Sequence, residues 1–338
     1  MAEGSRPQRW RYVLLALAAF LLLPANPFLR ALVPVEPGTL LLVPGLAACA
    51  AAGWWLGGRL WLAVAWLALA VLVVARTASG DGIGAFAELA VGWSILVAAV
   101  FGIVSLAGGT RGIAFLSRAL ISIALAIGAA GALLVGSESS LIRVISTVER
   151  EYRVRVEESL ASANRMLGAP DIQAQLSQRP AGEQFMARAE GQLRTLPRPG
   201  AQLFPAFLAL QTLAALGLAW SLFHRLSRIR LGPQLSTLRG FRFNDQLVWG
   251  LIAGIMLLAL SPIAEMRWVG VNLLVFFGAL YLVRGMGVLV WFLNPGRAMT
   301  VLLSIAAVFL WPFVGATALA VGLIDTWTDW RHRARPTH

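Results

Sequence analysis

Nine apolar runs divide this chain, and each is close to the length that crosses the hydrocarbon core of a membrane. A helix needs about 20 mostly apolar residues for that crossing. Hydrophobic residues make up 58% of the 338 and charged residues only 13%, whereas soluble domains contain about 25% charged residues. We therefore predict an all-α protein, a polytopic transmembrane helical bundle of about nine spans, within a range of about eight to ten. The runs are 11–32, 39–57, 60–76, 86–107, 112–136, 201–223, 246–263, 268–293 and 298–324.

Two of these runs are interrupted. The first contains Pro24, Pro27 and Arg30, so it can break into a span and a surface piece. The last contains Trp311-Pro312, and proline inside a helix removes a backbone hydrogen bond. We expect the last run to be kinked or split there.

A long polar segment separates two membrane blocks. Residues 1–136 form an N-terminal block of about five spans, and residues 201–338 form a C-terminal block of about four, at about 20 residues per span. Residues 137–200 hold nine arginines and eight acidic residues. A long, nearly neutral segment can be translocated despite its charges, so we place this insertion outside the cytoplasm.

The insertion carries two apolar stripes with helical spacing. The first runs from Leu141 through Tyr152 to Leu167, and the second from Phe185 to Leu196. Spacings of three and four residues are typical of one face of an amphipathic helix. The stripes can be covered by each other, by the membrane surface or by a partner. A self-packed extracytoplasmic helical hairpin is the simplest of these arrangements.

Basic residues set the orientation, and all 28 of them are arginine. Arginine and lysine concentrate in cytoplasmic loops, so we predict a multi-pass protein with its N-terminus in the cytoplasm. The basic loop 224–245 is then cytoplasmic, while an odd span count leaves the side of the basic C-terminal tail open. The arginines inside are Arg6, Arg9, Arg11, Arg59, Arg111, Arg225, Arg228, Arg230, Arg239, Arg242 and Arg297.

Several classes of function are excluded by composition. The lack of lysine excludes a Walker-type phosphate loop and a Schiff base. Cys49 is the only cysteine, and the histidines His224, His332 and His338 lie outside the apolar runs, so we expect no metal site. No catalytic pair and no cofactor motif occurs, and we expect no enzyme activity. Because the arginines lie beside apolar spans, we expect lipid contacts and no nucleic-acid binding.

Polar residues inside apolar runs are the candidates for a site, because an embedded charge costs about 2.5–3.5 kcal/mol on insertion scales. Arg284 lies deep in 268–293, with Asn272 three turns earlier. Arg284 can bind a solute or ion, or it can pair with a buried acid such as Glu88. Arg118 lies near the start of its run and can snorkel to the membrane edge.

Two further groups of residues are candidates for contacts. Asp325 and Asp329 share one helical face and can hold a cation, or can pair with a nearby arginine. The basic loop can bind anionic lipid or another membrane protein, although positive-inside charge alone explains it. The arginines of this second candidate site are Arg225, Arg228, Arg230, Arg239 and Arg242.

The C-terminal half resembles a known family. An arginine and aromatic stretch enters a span at 239–250, and Asn272 and Gly285 follow. The last of these features is the stretch Gly322-Leu-Ile-Asp-Thr-Trp-Thr-Asp-Trp-Arg331. These features are similar to the YybS-like family of bacterial integral membrane proteins of unknown function (domain of unknown function 2232). The resemblance implies a bacterial inner-membrane location. It also implies a distant likeness to the substrate-binding components of energy-coupling-factor transporters, although a shared fold does not fix function.

Two functions from different classes follow. One is transporter-like binding or transport of a small solute near Arg284, Asn272 and Asp325. The other is a non-catalytic membrane scaffold or cell-envelope assembly partner, which presents the insertion outside and the basic loop inside. The surroundings of Arg284 discriminate between them: a polar cavity favours solute binding, and an enclosed, paired arginine favours a scaffold.

Overall fold

The computed structural model describes residues 10–22, 38–79, 84–109, 112–136, 141–167, 188, 190–328 and 330. The described residues are helical throughout their regular parts, as the sequence predicts. They form two compact units, which meet in sequence between Gln234 and Leu235. The helices of the N-terminal unit are α1 (Trp10–Leu22), α2 (Gly38–Trp55), α3 (Leu60–Ala78), α4 (Ala85–Gly108), α5 (Phe115–Gly136), α6 (Leu141–Leu167) and α7 (Pro197–Leu226).

The C-terminal unit contains the last apolar runs. Two short 3-10 turns, Leu238–Gly240 and Asp245–Leu247, precede its first long helix. The last run is split as predicted, because Pro312 cannot donate a backbone hydrogen bond. The chain instead begins a new helix with Pro312 as its second residue, where no donor is needed. The helices are α8 (Val248–Leu260), α9 (Ala264–Leu293), α10 (Arg297–Phe309) and α11 (Trp311–Thr328).

Six of the described helices are long and apolar enough to cross a membrane. They are α2, α3, α4, α5, α7 and α9, while α1 and the segment Asp245–Leu260 are apolar but shorter. The predicted count of nine spans stays a prediction. Only 11% of the apolar window of α3 is buried within the protein, so most of its side chains face outward. Such a face is stable in hydrocarbon and not in water.

Helix α7 belongs to the N-terminal unit, although the sequence grouped it with the C-terminal block. Small residues explain this, because they let α2 and α7 approach closely. A Cβ atom at Gly45 of α2 would lie 3.2 Å from Leu216 and 3.6 Å from Ala219 of α7.

Helix α6 confirms the first amphipathic stripe of the insertion. Val148, Tyr152 and Val156 are buried along one face. Val148 and Tyr152 pack with Phe86 of α4 and Ala201 of α7, and this cluster covers the middle of the stripe. Phe185 and Ala189 of the second stripe lie outside the described residues, so the hairpin stays a prediction.

Two contacts between rings and side chains show which helix ends lie together in the N-terminal unit. At one end, which we call the basic end, the Arg225 guanidinium lies 5.7 Å from the Trp10 ring centroid. At the other end, Phe86 contacts Phe204, with their ring centroids 5.7 Å apart. The start of α1 and the end of α7 therefore share one end, while the starts of α4 and α7 share the other. This relative arrangement is the one that alternating membrane crossings predict.

Glycines bring α9 and α11 of the C-terminal unit into backbone contact. A Cβ atom at Gly285 would overlap the carbonyl oxygen of Ala318, and one at Gly322 would overlap that of Tyr281. Small residues allow such close approach in membrane bundles, where packing drives helix association.

We predict that Gly285→Ala destabilises the protein by about 1–3 kcal/mol, because the added methyl group must push two backbones apart. Gly278→Ala is the matched control. Gly278 lies on the same helix, and a Cβ atom there would meet nothing within 4 Å. It should be neutral or stabilise by up to about 1 kcal/mol, because alanine favours helix. Unfolding of both variants in detergent measures the difference in stability. Equal stability of the two variants would contradict the backbone contact at Gly285.

Candidate functional site

A buried arginine and two aspartates form a cluster of charged side chains in the C-terminal unit. Arg284 and Asp325 are both fully enclosed, with 0% exposure. The Arg284 Nε donates to Asp325 Oδ2 at 3.0 Å, and its Nη2 donates to the Asp325 backbone oxygen at 3.1 Å. Its Nη1 donates to Asp245 Oδ1 at 2.6 Å. We call Arg284, Asp325 and Asp245 the charge cluster.

The helix crossing places Arg284 and Asp325 together. Arg284 precedes Gly285 on α9, and Asp325 follows Gly322 of α11 by three residues. Because the two backbones touch at these glycines, the short aspartate side chain reaches the guanidinium. The contact also lets the Arg284 Nη2 reach the Asp325 backbone carbonyl.

Asp245 reaches the cluster from a chain segment that we call the strap, residues 238–245. Asn244 accepts a hydrogen bond from the Gln246 backbone nitrogen at 3.0 Å, which caps the turn that begins at Asp245. The strap is held against α9 at its other end, where a Cβ atom at Gly287 would overlap the Leu238 carbonyl oxygen.

Aromatic rings of the strap and α9 complete the cover. The Arg284 guanidinium lies 5.3 Å from the Phe243 ring centroid, within the range of a cation–π interaction. The Phe243 ring meets Tyr281 edge-on, with centroids 5.0 Å apart. The guanidinium is therefore surrounded by two carboxylates, a carbonyl and an aromatic face.

The two carboxylates differ in their access to solvent. The Asp325 side chain is fully buried, while that of Asp245 is 50% exposed. The cluster carries one positive and two negative charges when all three groups are ionised. Its inner pair is therefore a buried ion pair, and its outer carboxylate lies at the protein surface.

The structure brings together some of the residues predicted from sequence. Arg284 and Asp325 form an ion pair. The acids that pair with Arg284 are Asp325 and Asp245, whereas the sequence suggests Glu88 as an example. Asn272 lies elsewhere, about 18 Å along α9 from Arg284 at 1.5 Å per residue, and donates to the Trp268 carbonyl at 2.9 Å. Asp329 lies outside the described residues.

Asp245 is the cluster residue that the sequence argument missed. Its signal was present, because it is an isolated acid in a basic loop and stands directly before an apolar run. In the sequence, that stretch is part of the basic loop, whose charge as a whole indicates contact with lipid or a partner.

A second buried arginine, Arg118, lies at the basic end of the N-terminal unit and is 1% exposed. It donates to the carbonyl oxygens of Ser105 at 3.0 Å, Gly109 at 2.9 Å and Ile113 at 3.3 Å. No carboxylate of the described residues lies within ion-pair distance of it. The side chain reaches the end of α4, where a cation meets the negative end of the helix dipole. It is buried by the protein there, and its reach to the membrane edge stays a prediction.

His224 corrects the expectation that all histidines lie outside the spans. Helix α7 continues to Leu226, so His224 lies in its last turn and is buried. Basic residues stabilise this extension, since the Arg225 Nη1 donates to the Ser221 carbonyl at 2.9 Å near the helix end. The His224 ring bridges Trp220 and Leu231, with Nδ1 2.8 Å from the Trp220 oxygen and Nε2 accepting from the Leu231 nitrogen at 3.2 Å.

The remaining loop arginines lie at the surface. Arg228, Arg230, Arg239 and Arg242 are exposed, whereas Arg225 is half-buried beside Trp10. The first two belong to the N-terminal unit and the last two to the C-terminal unit.

Comparison with known proteins gives one family match. A family model described as "Predicted membrane protein (DUF2232)" matches residues 62–326, which is most of the chain. No curated protein and no solved structure matches.

We predict that the charge cluster stabilises the fold, so that Arg284→Met destabilises the protein by about 3–5 kcal/mol. The variant leaves Asp325 buried without its partner, and an uncompensated buried charge is costly. Adding Asp325→Asn removes that charge and should recover part of the loss. Asp245→Asn should lower the free energy of unfolding by no more than about 3 kcal/mol, because it removes one charged hydrogen bond at the surface.

Unfolding of the three variants in detergent, at matched protein and detergent concentrations, measures these effects. A fully stable Arg284→Met variant would contradict a structural role for the cluster. It would instead leave Arg284 available as a ligand-binding residue.

Proposed function

Because the chain belongs to the DUF2232 family of predicted membrane proteins, we propose that it is a non-catalytic scaffold of the bacterial inner membrane. In this role it holds partner proteins of the cell envelope. The observation that carries the proposal is the enclosure of Arg284 by Asp325 and Asp245.

A solute-binding arginine must offer donors to its ligand. Arg284 uses three of its N–H groups on Asp325 and Asp245, of the five that a guanidinium provides. Its side chain is 0% exposed, and the Phe243 ring covers it. Such a cluster supports a function in which the last helices are held in one fixed arrangement.

The insertion supports the scaffold role by its charged outer surface. A groove of about 690 Å³ runs beside α6, and charged side chains line much of it. A groove of this kind fits a polar or charged protein segment better than an apolar solute. The charged residues that line it are Glu149, Arg153, Glu157, Arg194 and Arg198.

We further propose that the N-terminus and the basic end face the cytoplasm, and that the insertion lies outside. The positive-inside bias supports this orientation, since Arg118, Arg225, Arg228 and Arg230 all belong to the basic end or the loop that leaves it. The lack of lysine, of a nucleophile paired with a base and of a metal-binding motif in the sequence supports a role without catalysis.

Transporter-like binding or transport of a small solute is the second candidate. The half-exposed carboxylate of Asp245 favours it, because this group connects the buried ion pair to the protein surface. A kinship with YybS-like proteins, and more distantly with energy-coupling-factor substrate-binding components, would agree with this role. This kinship rests on the sequence between Arg239 and Arg331.

We predict that the outer face of α6 contacts a partner protein in the cell envelope. A photo-crosslinking amino acid at Ile142 or Val154, which are 70% and 46% exposed, should form adducts with the same protein in living cells. Mass spectrometry of the adducts identifies the partner.

The matched controls are Leu67 and Val71 of α3, which are 57% and 60% exposed on an apolar helix. These positions should meet lipid and form no defined protein adduct. Absence of adducts at both α6 positions, or the same capture at α3, would exclude a scaffold that works through the insertion.

A further inference from the structure

The chain that follows α7 is fixed at several points, and we call residues 227–233 the anchored loop. The Leu231 nitrogen donates to His224 Nε2 at 3.2 Å, and Leu231 is fully buried. The Trp220 Nε1 donates to the Pro233 carbonyl at 3.1 Å. Gly232 lies against Arg118, whose Nη2 would be 3.3 Å from a Cβ atom there. These contacts hold the loop directly against the end of a helix that is long and apolar enough to span a membrane.

Burial along the anchored loop alternates. Ile229 is half-buried and Leu231 is fully buried, whereas Arg228 and Arg230 are exposed. The anchoring of Leu231 therefore turns the two arginines outward on either side of Ile229. Two exposed arginines therefore lie two residues apart on a backbone that the fold holds in place.

Within the described residues, these two arginines lack the carboxylate partners that arginines of the insertion have. Arg153, Arg155 and Arg194 each pair with a glutamate four residues earlier, at 2.6 to 3.0 Å. No carboxylate of the described residues lies within ion-pair distance of Arg228 or Arg230. Guanidinium groups bind phosphate oxygens in a planar, two-bonded geometry, so an anion with phosphate chemistry is the ligand that fits.

Exposed apolar side chains beside the arginines identify the source of that phosphate. Leu226 is 50% exposed, Trp10 is 48% exposed and Ile113 is 38% exposed. Trp10 contacts Arg225 in the last turn of α7, two residues before the anchored loop begins. Tryptophan and arginine beside an apolar span are typical of the headgroup level of a membrane, where an anionic lipid offers a phosphate above its acyl chains.

We infer that the anchored loop binds the phosphate of an anionic phospholipid through Arg228 and Arg230, with Trp10 and Leu226 beside the upper acyl chains. Arg118 does not contact the lipid. It holds Gly232 and the end of α4 in place, so that the loop is formed before the lipid binds.

The test is a titration of the full-length protein in detergent with phosphatidylglycerol, followed by native mass spectrometry and thermal unfolding. Wild type should bind phosphatidylglycerol and gain stability, while phosphatidylcholine should do neither. Arg228→Gln combined with Arg230→Gln should weaken phosphatidylglycerol binding about 30-fold, which is about 2 kcal/mol for two interfacial charges.

The charge-matched control is Arg150→Gln combined with Arg165→Gln, which removes two exposed arginines from α6 of the insertion. Its affinity for phosphatidylglycerol should equal that of wild type. Equal weakening in both double variants would show only a response to net charge and would overturn the inference.

Three other results would also overturn it. One is equal binding of phosphatidylcholine, and another is the same stabilisation by inorganic phosphate at equal concentration, which would assign the site to a free anion. The third is a loss of stability of the loop variant without any added lipid, which would make the two arginines part of the fold. Stability equal to wild type without lipid is the expected result.

Discussion

Hydrocarbon supplies no hydrogen bonds, and this constraint governs how the buried arginines Arg284 and Arg118 are placed. A guanidinium that enters the membrane body must find all its partners within the protein. Arg284 finds two carboxylates and a carbonyl, and Arg118 finds three carbonyls at the end of α4. Each arginine thereby connects chain segments that are distant in sequence or on different helices. These hydrogen bonds and ion pairs offset the energetic cost of embedding the charges. They also fix helix positions that apolar packing alone would leave less defined.

The glycines of α9 and α11 are the geometric condition for this pairing. Lipid tails are as apolar as the helix surfaces, so little hydrophobic force holds the two helices together. Contact at Gly285 and Gly322 shortens the distance between backbones, and only then can Asp325 meet Arg284. The ion pair in return makes the close crossing favourable. Packing and charge therefore stabilise the same point of the C-terminal unit, and the strap closes over it.

Much of the fold could be predicted from sequence, because apolar runs and breakers act locally. The helix ends agree with the runs to within a few residues in most cases, and Pro312 splits the last run as expected. The pairing of the charges could not be predicted in the same way. Arg284 was recognisable as a buried charge, but its partners are 39 and 41 residues away in sequence, and only helix packing brings them close. Asn272 has a helical spacing to Arg284 but lies too far along the axis.

The candidate sites differ in what they can bind, because their arginines differ in burial and in hydrogen-bond partners. Arg284 is enclosed and its charge is compensated by Asp325 and Asp245, so these ion pairs hold this point of the C-terminal unit in one arrangement. Arg228 and Arg230 are exposed beside buried Leu231 and have no carboxylate partner in the described part of the chain. Compensated charge inside the bundle suits structure, and uncompensated charge at the membrane edge suits recognition of an anion. An arginine count alone does not separate these roles. Burial and the identity of the acceptor separate them.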